Sequence, residues 1–192
     1  MKTILMLSGW AGSGKDAAAM LLEEEMGWQR VAFADPLKTT VAEITGLPSE
    51  LFFSAAKDLP LPPGTVCPLY PSARTPREIL LQHAVRERAV DPDIYARTTV
   101  QKILESPQKK WVISDWRYQR EWAFLVRCVR SSVGARACII RARVLRPGVV
   151  PSADLTEHDL DHAPMDLVIH NAGTISDLRD ALRSVLKTNA GS

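Results

Sequence analysis

The sequence predicts an α/β fold, with a mainly parallel five-stranded sheet and helices on both faces. Three observations carry this. Five short strand-like runs, 3–7, 31–33, 111–114, 137–145 and 166–170, are spaced along the chain. The first of them, TILML, is continuously apolar, as a strand buried on both faces must be. Between the runs lie stretches with helix formers, caps and stops, and such alternation builds parallel sheets through crossover helices.

The elements follow in order. After TILML, bounded by Ser8-Gly9, residues 15–26 read as helix: Ala17, Ala18, Ala19, Leu21 and Leu22 are helix formers or tolerated, and Gly27 is a stop. Val31-Ala32-Phe33 is the second strand. Leu37 to Ile44 is a helix ended by Gly46 and Pro48. Residues 47–73 hold six of the 13 prolines and read as irregular chain, either a functional loop or an idle insertion. Thr75-Pro76 opens a helix, with Thr as N-cap, Pro at the first helical position and Glu78 completing a capping box. A helix from Asp93 to about Leu104 precedes the third strand, and one from Tyr118 to Val133 follows it. In the latter, Trp122, Phe124, Leu125 and Val129 read as core. Residues 146–162 read as a loop with a short polar helix. Asn171-Ala172-Gly173 is a turn, and Thr174 with Asp177 caps the closing helix, 174–186.

Composition narrows the function classes. The chain has 192 residues, enough to bury about 70% of its unfolded surface without a disulfide or metal. Hydrophobic residues make up 46% and charged residues 24%, which argues against disorder. A net charge of +2 from 24 basic and 22 acidic side chains gives no case for binding a nucleic-acid polymer. Cys67, Cys128 and Cys138 form no CxxC pair, so a reducing compartment is expected. No apolar run is long enough to cross a membrane, and the first is too short for a signal peptide. A soluble, cytoplasmic protein without membrane partners is the expectation. His158 and His162, four apart, read as solvated loop polarity beside Glu157, Asp159 and Asp161 rather than as zinc ligands.

The sharpest motif is GWAGSGKD at 9–16, which fits GxxxxGK between a predicted strand and a predicted helix. Gly9, Gly12 and Gly14 permit the backbone to approach phosphate closely, and successive N–H groups of Gly12, Ser13, Gly14, Lys15 and Asp16 can then face phosphate oxygens at the positive end of a helix. Lys15 would reach the β- and γ-phosphates. Asp16 stands where a Ser or Thr is usual. It reads equally as a magnesium ligand or as a first-turn acid favoured by the helix dipole.

The remaining motifs are FADPLK at 33–38, TPREILLQ at 75–82, DPDIYAR at 91–97, ISDWRYQREW at 113–122 and RARVLRPG at 141–148. In this order the chain resembles the deoxynucleoside monophosphate kinases of bacteriophages and their relatives in the P-loop kinase group. The likeness runs from the phosphate loop to the Asn171-Ala172-Gly173 turn, and the family's lysine-then-aspartate loop matches Asp16. HAVRERAV at 83–90 departs from it, where a Gly-containing segment is usual.

The resemblance implies a single P-loop kinase domain with an acceptor-binding region at about 35–105 and a lid at about 143–162. It also implies transfer of the ATP γ-phosphoryl group, with Mg2+, to a deoxynucleoside 5′-monophosphate, in the host cytoplasm if phage-encoded. Some relatives pair, so a homodimer is an open expectation. Lys15, Asp115 and Arg143 are the expected catalytic residues, with Asp16 and Asp115 toward the metal. Asp35, Lys38, Arg77, Gln82, Arg88 and Arg117 are expected to hold the acceptor.

Phosphoryl transfer needs cations to converge on the phosphates more than it needs covalent chemistry, and the chain offers them on several elements. The alternatives are structural: N-caps for Asp35 and Asp115, a solvated first-turn arginine for Arg77, a surface amide for Gln82. Glu121 could anchor Arg117 from four residues away. Arg141, Arg143 and Arg146 are the lid candidates. Competing functions are a P-loop kinase for another small phosphorylated acceptor, such as phosphomevalonate, and a non-catalytic nucleotide-binding switch.

Overall fold

The run TILML lies within β1 (Lys2–Ser8) in a computed structural model of the chain, which describes residues 1–150 and 158–189. The other strands are β2 (Gln29–Val31), β3 (Lys110–Ile113), β4 (Ala137–Leu145) and β5 (Leu167–His170). They form one sheet in the order β2-β3-β1-β4-β5, and each neighbouring pair is parallel. β1 therefore lies at the centre, as its uninterrupted apolar sequence requires. The second strand sits two residues earlier than the sequence suggested: Ala32 and Phe33 are buried but lie beyond its last ladder residue. At the β5 edge the sequence alternates instead, with Leu167 and Ile169 buried and Val168 and His170 exposed.

The chain divides into two compact units, one of residues 1–32 and 100–192, the other of residues 33–99. In the first, α1 (Lys15–Met26) and α7 (Ile175–Asn189) cover one face of the sheet. Ala18, Ala19, Leu21 and Leu22 of α1 and Leu178 and Leu182 of α7 pack on Leu5, Leu7, Val112, Ala142 and Val144. Truncating one such leucine to alanine costs about 2–5 kcal/mol. The alternate residues Ile4, Met6, Trp111 and Ile113 point to the opposite face and are equally buried. α6 (Gln119–Val133) packs against β4. Phe124, Leu125 and Val129 are core as expected, while Trp122 is only half-buried and carries Arg141 on its ring.

The second unit holds α2 (Ala34–Thr45), α3 (Glu50–Phe53), α4 (Pro76–Val90) and the start of α5 (Ile94–Glu105). Its Pro-rich stretch is not idle. Phe52, Cys67, Tyr70 and Ala73 are buried with Leu37, Val41, Ile79 and Leu80 in one apolar cluster, so prolines that forbid ladders still deliver core side chains. Thr75 caps α4 by accepting from the Glu78 N–H at 3.2 Å. Glu78 returns the bond to the Arg74 N–H (2.6 Å), one residue earlier than a capping box prescribes. Thr174 and Asp177 make both bonds of the expected cap on α7, at 3.3 and 2.7 Å.

Candidate active site

Gly9 to Gly14 joins the central strand to α1 with Gly9, Gly12 and Gly14 at φ of 150, 80 and 94°. Only glycine takes such values without strain. A side chain on Gly9 would also meet the Val144 carbonyl oxygen at 2.7 Å and the Ser13 hydroxyl. The loop closes on itself through the Ser13 N–H, which donates to the Trp10 carbonyl at 3.0 Å. α1 begins with Gly14 as its N-cap and no side-chain cap, so the N–H groups of its first turn are left without a side-chain acceptor at the helix's positive end. Lys15, the first helical residue, is 9% exposed, and among the described residues no carboxylate pairs with its ammonium. A buried cation beside open amides is a site for an anion that the protein does not itself supply.

The carboxyl ends of neighbouring strands bring further groups to this loop. Arg143 stands opposite Ser8 in the β1–β4 register, one residue before the loop begins. Its guanidinium donates to Asp161 Oδ1 at 2.8 Å and to the Leu160 carbonyl at 3.2 Å, and lies 5.5 Å from the ring centre of Trp10 within the loop. His158 Nδ1 lies 2.8 Å from the other Asp161 oxygen. His158, above all, holds the Asp161 carboxyl below the usual carboxylate range; Arg143 and Trp10 add to this, against the opposing effect of burial. His158 and Asp161 thus anchor Arg143, a role their sequence pattern did not suggest.

Asp115 follows β3, and the next N–H, that of Trp116, donates to the Leu7 carbonyl at 3.1 Å, which fixes Asp115 and Arg117 at the end of β1 from which the loop departs. Asp115 is not an N-cap, since α6 starts at Gln119 with Tyr118 before it. Glu121 does engage Arg117, though through the backbone: its Oε2 accepts the N–H groups of Arg117 and Tyr118 at 3.0 and 3.1 Å.

Arg141 is settled differently from Arg143. It forms a two-pronged pair with Asp166 (3.0 and 2.7 Å) over the Trp122 ring. This side-chain bonding raises the Arg141 pKa and lowers that of Asp166, and it ties β4 to the residue just before β5. Part of the expected lid, residues 151–157 with Glu157, lies outside the described residues.

In the second unit, Asp35 sits in the first turn of α2 and not at its N-cap, which is Phe33. Asp35 pairs with Lys38 at 3.1 Å, and Lys38 lies over the Phe53 ring. Arg77, expected as a free grip on phosphate, makes a two-pronged pair with Asp58. That bond holds the Asp58 carboxyl below its ordinary range. Gln82 accepts from the Ser72 hydroxyl (3.4 Å) and lines an open groove of about 480 Å³ with Leu69, Tyr70, Leu81, Val85 and Arg86. Arg88 lies 5.3 Å from the Tyr95 ring centre. Burial pushes the Tyr95 phenol up to about 12 and pushes His83 down, and His83 Nδ1 meets the Tyr70 hydroxyl at 2.6 Å.

Among the described residues no cluster of three or more His, Cys, Asp or Glu side chains is placed to hold a metal ion. Magnesium asks less, since it takes one or two carboxylates and completes its shell with phosphate and water. The oxygen donors Asp16 and Asp115 suit it. No described helix is long and apolar enough to cross a membrane.

No model of a known protein family matches the chain, and no curated protein sequence does. Solved structures do resemble it. The APS kinase of Mycobacterium tuberculosis is 17% identical, with 97% of each chain covered and a TM-score of 0.46. The dephospho-CoA kinase of Campylobacter jejuni is 14% identical, covering 97% of this chain and 96% of its own, with a TM-score of 0.49. A gluconokinase of Sinorhizobium meliloti is 11% identical over 98% and 95%, with a TM-score of 0.45. These structures are of kinases, and likeness so distant carries nothing about what this chain acts on; its α/β fold stands on its own strand order.

Proposed function

We propose that the chain is a phosphotransferase that moves the γ-phosphoryl group of ATP to a deoxynucleoside 5′-monophosphate, giving ADP and a deoxynucleoside diphosphate. The observation that carries the reading is the phosphate loop, in which Lys15, buried and without a carboxylate partner, opens a helix whose first amides are uncapped. Such a loop suits a polyphosphate.

Lys15 neutralises charge on the transferred group, and Gly12, Ser13, Gly14 and Asp16 form the cradle around the phosphates. Arg143, near the carboxyl end of β4 beside the loop, meets the charge that develops between donor and acceptor. Asp16 and Asp115 would hold magnesium, which when bound neutralises the β- and γ-phosphate oxygens. Asp115 and Arg117, at the sheet's carboxyl edge, orient the reacting ends. The acceptor specificity is assigned to Asp35, Lys38, Arg77 and Gln82, on the strength of the FADPLK and TPREILLQ resemblance, and to Arg88 further along the same helix. The aromatic and apolar lining of the Gln82 groove suits a base.

A panel of acceptors with ATP and magnesium tests this. ADP release is expected with at least one deoxynucleoside monophosphate and at lower rates with phosphomevalonate and with water. Release with phosphomevalonate alone would make the chain a kinase for a different acceptor, and release with none would leave a nucleotide-binding switch. Lys15→Ala should abolish turnover with the fold intact, since removing one such cation typically costs about 10²–10³ in kcat or more. Turnover near that of the unmutated protein would reject the phosphate loop.

A further inference from the structure

Asn171 directly follows β5, 158 residues from Ser13 of the phosphate loop in sequence, yet its side chain reaches into that loop. Its Nδ2 donates to the Ser13 carbonyl oxygen at 2.9 Å, and the residue is 6% exposed. Its own N–H donates to the Leu145 carbonyl at 2.7 Å, so the carboxamide is fixed by the sheet end rather than by a free loop. The contact is close: a Cβ placed on Gly14 would fall onto Asn171 Nδ2.

Among the described residues there is no cis peptide bond, so the Ser13–Gly14 peptide is trans and its C=O and N–H point in opposite directions. With the carbonyl held by Asn171, the Gly14 N–H faces away from Asn171, and among the described residues it has no acceptor. A peptide that precedes a glycine at φ 94° is the kind most easily turned over, because glycine admits both orientations. Turning it over would present a carbonyl oxygen where an anion is to bind.

We propose that Asn171 is a positioning residue of the phosphate loop: it clamps the Ser13–Gly14 peptide so that the Gly14 N–H is presented to a phosphate oxygen of the nucleotide. The proposal rests on the phosphate-loop reading above and adds to it the residue that sets the loop's polarity before any ligand arrives.

The test uses the full chain and two probes, ATP and inorganic pyrophosphate, with adenosine as the phosphate-free comparison, all measured by calorimetric titration. Asn171→Ala should weaken ATP and pyrophosphate by the same factor, roughly three- to tenfold, the worth of one hydrogen bond of preorganisation. Adenosine binding should not change. Asn171→Asp should weaken both anions further, because a carboxylate cannot donate to the Ser13 carbonyl and adds negative charge beside the phosphates. Lys15→Ala serves as the control for the underlying reading. If Lys15→Ala weakens pyrophosphate and Asn171→Ala does not, the clamp is refuted while the phosphate loop stands. If neither does, the loop itself is refuted. A lowered melting temperature in Asn171→Ala with unchanged pyrophosphate affinity also refutes the clamp, since Asn171 would then only hold the turn.

Amide NMR of the unmutated protein needs no variant to fold. The Gly14 amide proton should shift downfield when pyrophosphate is added. A Gly14 resonance that stays in place while Lys15 and its neighbours respond overturns the proposal.

Discussion

The Arg143–Asp161 pair separates an anchoring role from a chemical one. The two side chains are 13 and 26% exposed and meet at 2.8 Å. Asp161→Ala removes a partly buried, charge-assisted hydrogen bond, which contributes about 1.5–3 kcal/mol. For a chain of this length that is a fall of about 3–12 °C in melting temperature. Arg143→Ala removes the same bond together with the one to the Leu160 carbonyl and the approach to the Trp10 ring, about 0.5–1.5 kcal/mol for each. It should therefore melt lower still.

The two variants should part company in turnover. If Arg143 meets developing charge, its loss costs about 10²–10³ in kcat, whereas Asp161→Ala leaves the guanidinium in place and changes kcat by no more than about tenfold. Both are measured by ADP release at saturating substrates, beside a thermal melt. Equal losses of kcat in the two variants would refute a chemical role for Arg143 and leave it as an anchor. The pair also has a pH signature. The Asp161 carboxyl is held below its unfolded value, so its contribution is present above about pH 4 and is lost as the pH falls through the folded value. The stability gap between Asp161→Ala and the unmutated protein should close in acid.

Three further outcomes are expected. Burial lowers the His83 pKa, so the unfolded chain binds a proton that the folded chain refuses; stability should fall as the pH drops below about 6.5. Urea midpoints at pH 7 and pH 5 should show that fall, and His83→Gln should lessen it; an equal fall in the variant would contradict the burial account. Arg77→Ala should raise the KM of the acceptor much more than that of ATP, whereas equal shifts in steady-state kinetics would leave Arg77 as the structural partner of Asp58. Gly14→Ala should cost about 1–2 kcal/mol from its left-handed backbone alone and displace Asn171 as well; an unchanged denaturant midpoint would show that the loop relaxes freely.

The parts of the molecule that were legible in the sequence are those with local signatures. TILML announces a strand buried on both faces, the glycines at 9, 12 and 14 announce the loop, and Thr75-Pro76 announces a helix start, each within a few residues of chain. The pairings were not legible, because they join positions far apart. Arg77 and Asp58 are 19 residues apart, Arg143 and Asp161 are 18 apart, and Asn171 and Ser13 are 158 apart. A basic residue read in isolation looks like a free cation; only the fold shows that a carboxylate already occupies Arg77 and Arg141. Asp161 and His158 look like solvated polarity in the sequence for the same reason, since Arg143 lies 18 residues from Asp161. The Pro-rich stretch misled in the other direction, since irregular backbone says nothing of whether Cys67 and Tyr70 are buried.

The second unit is one unbroken length of chain, residues 33–99, carried between β2 and the latter part of α5. The glycine loop, Lys15, Asp115, Arg143 and Asn171 all belong to the other unit and draw no strand from it. Its apolar cluster, built from Leu37 to Tyr95, is its own. An inheritance event that exchanged this one cassette would leave the sheet, its central strand and the anion cradle unedited. On the proposed function, selection can therefore rework what the protein recognises at a different tempo from how it handles phosphate, and a laboratory graft that respects the joints at 32/33 and 99/100 has the same freedom.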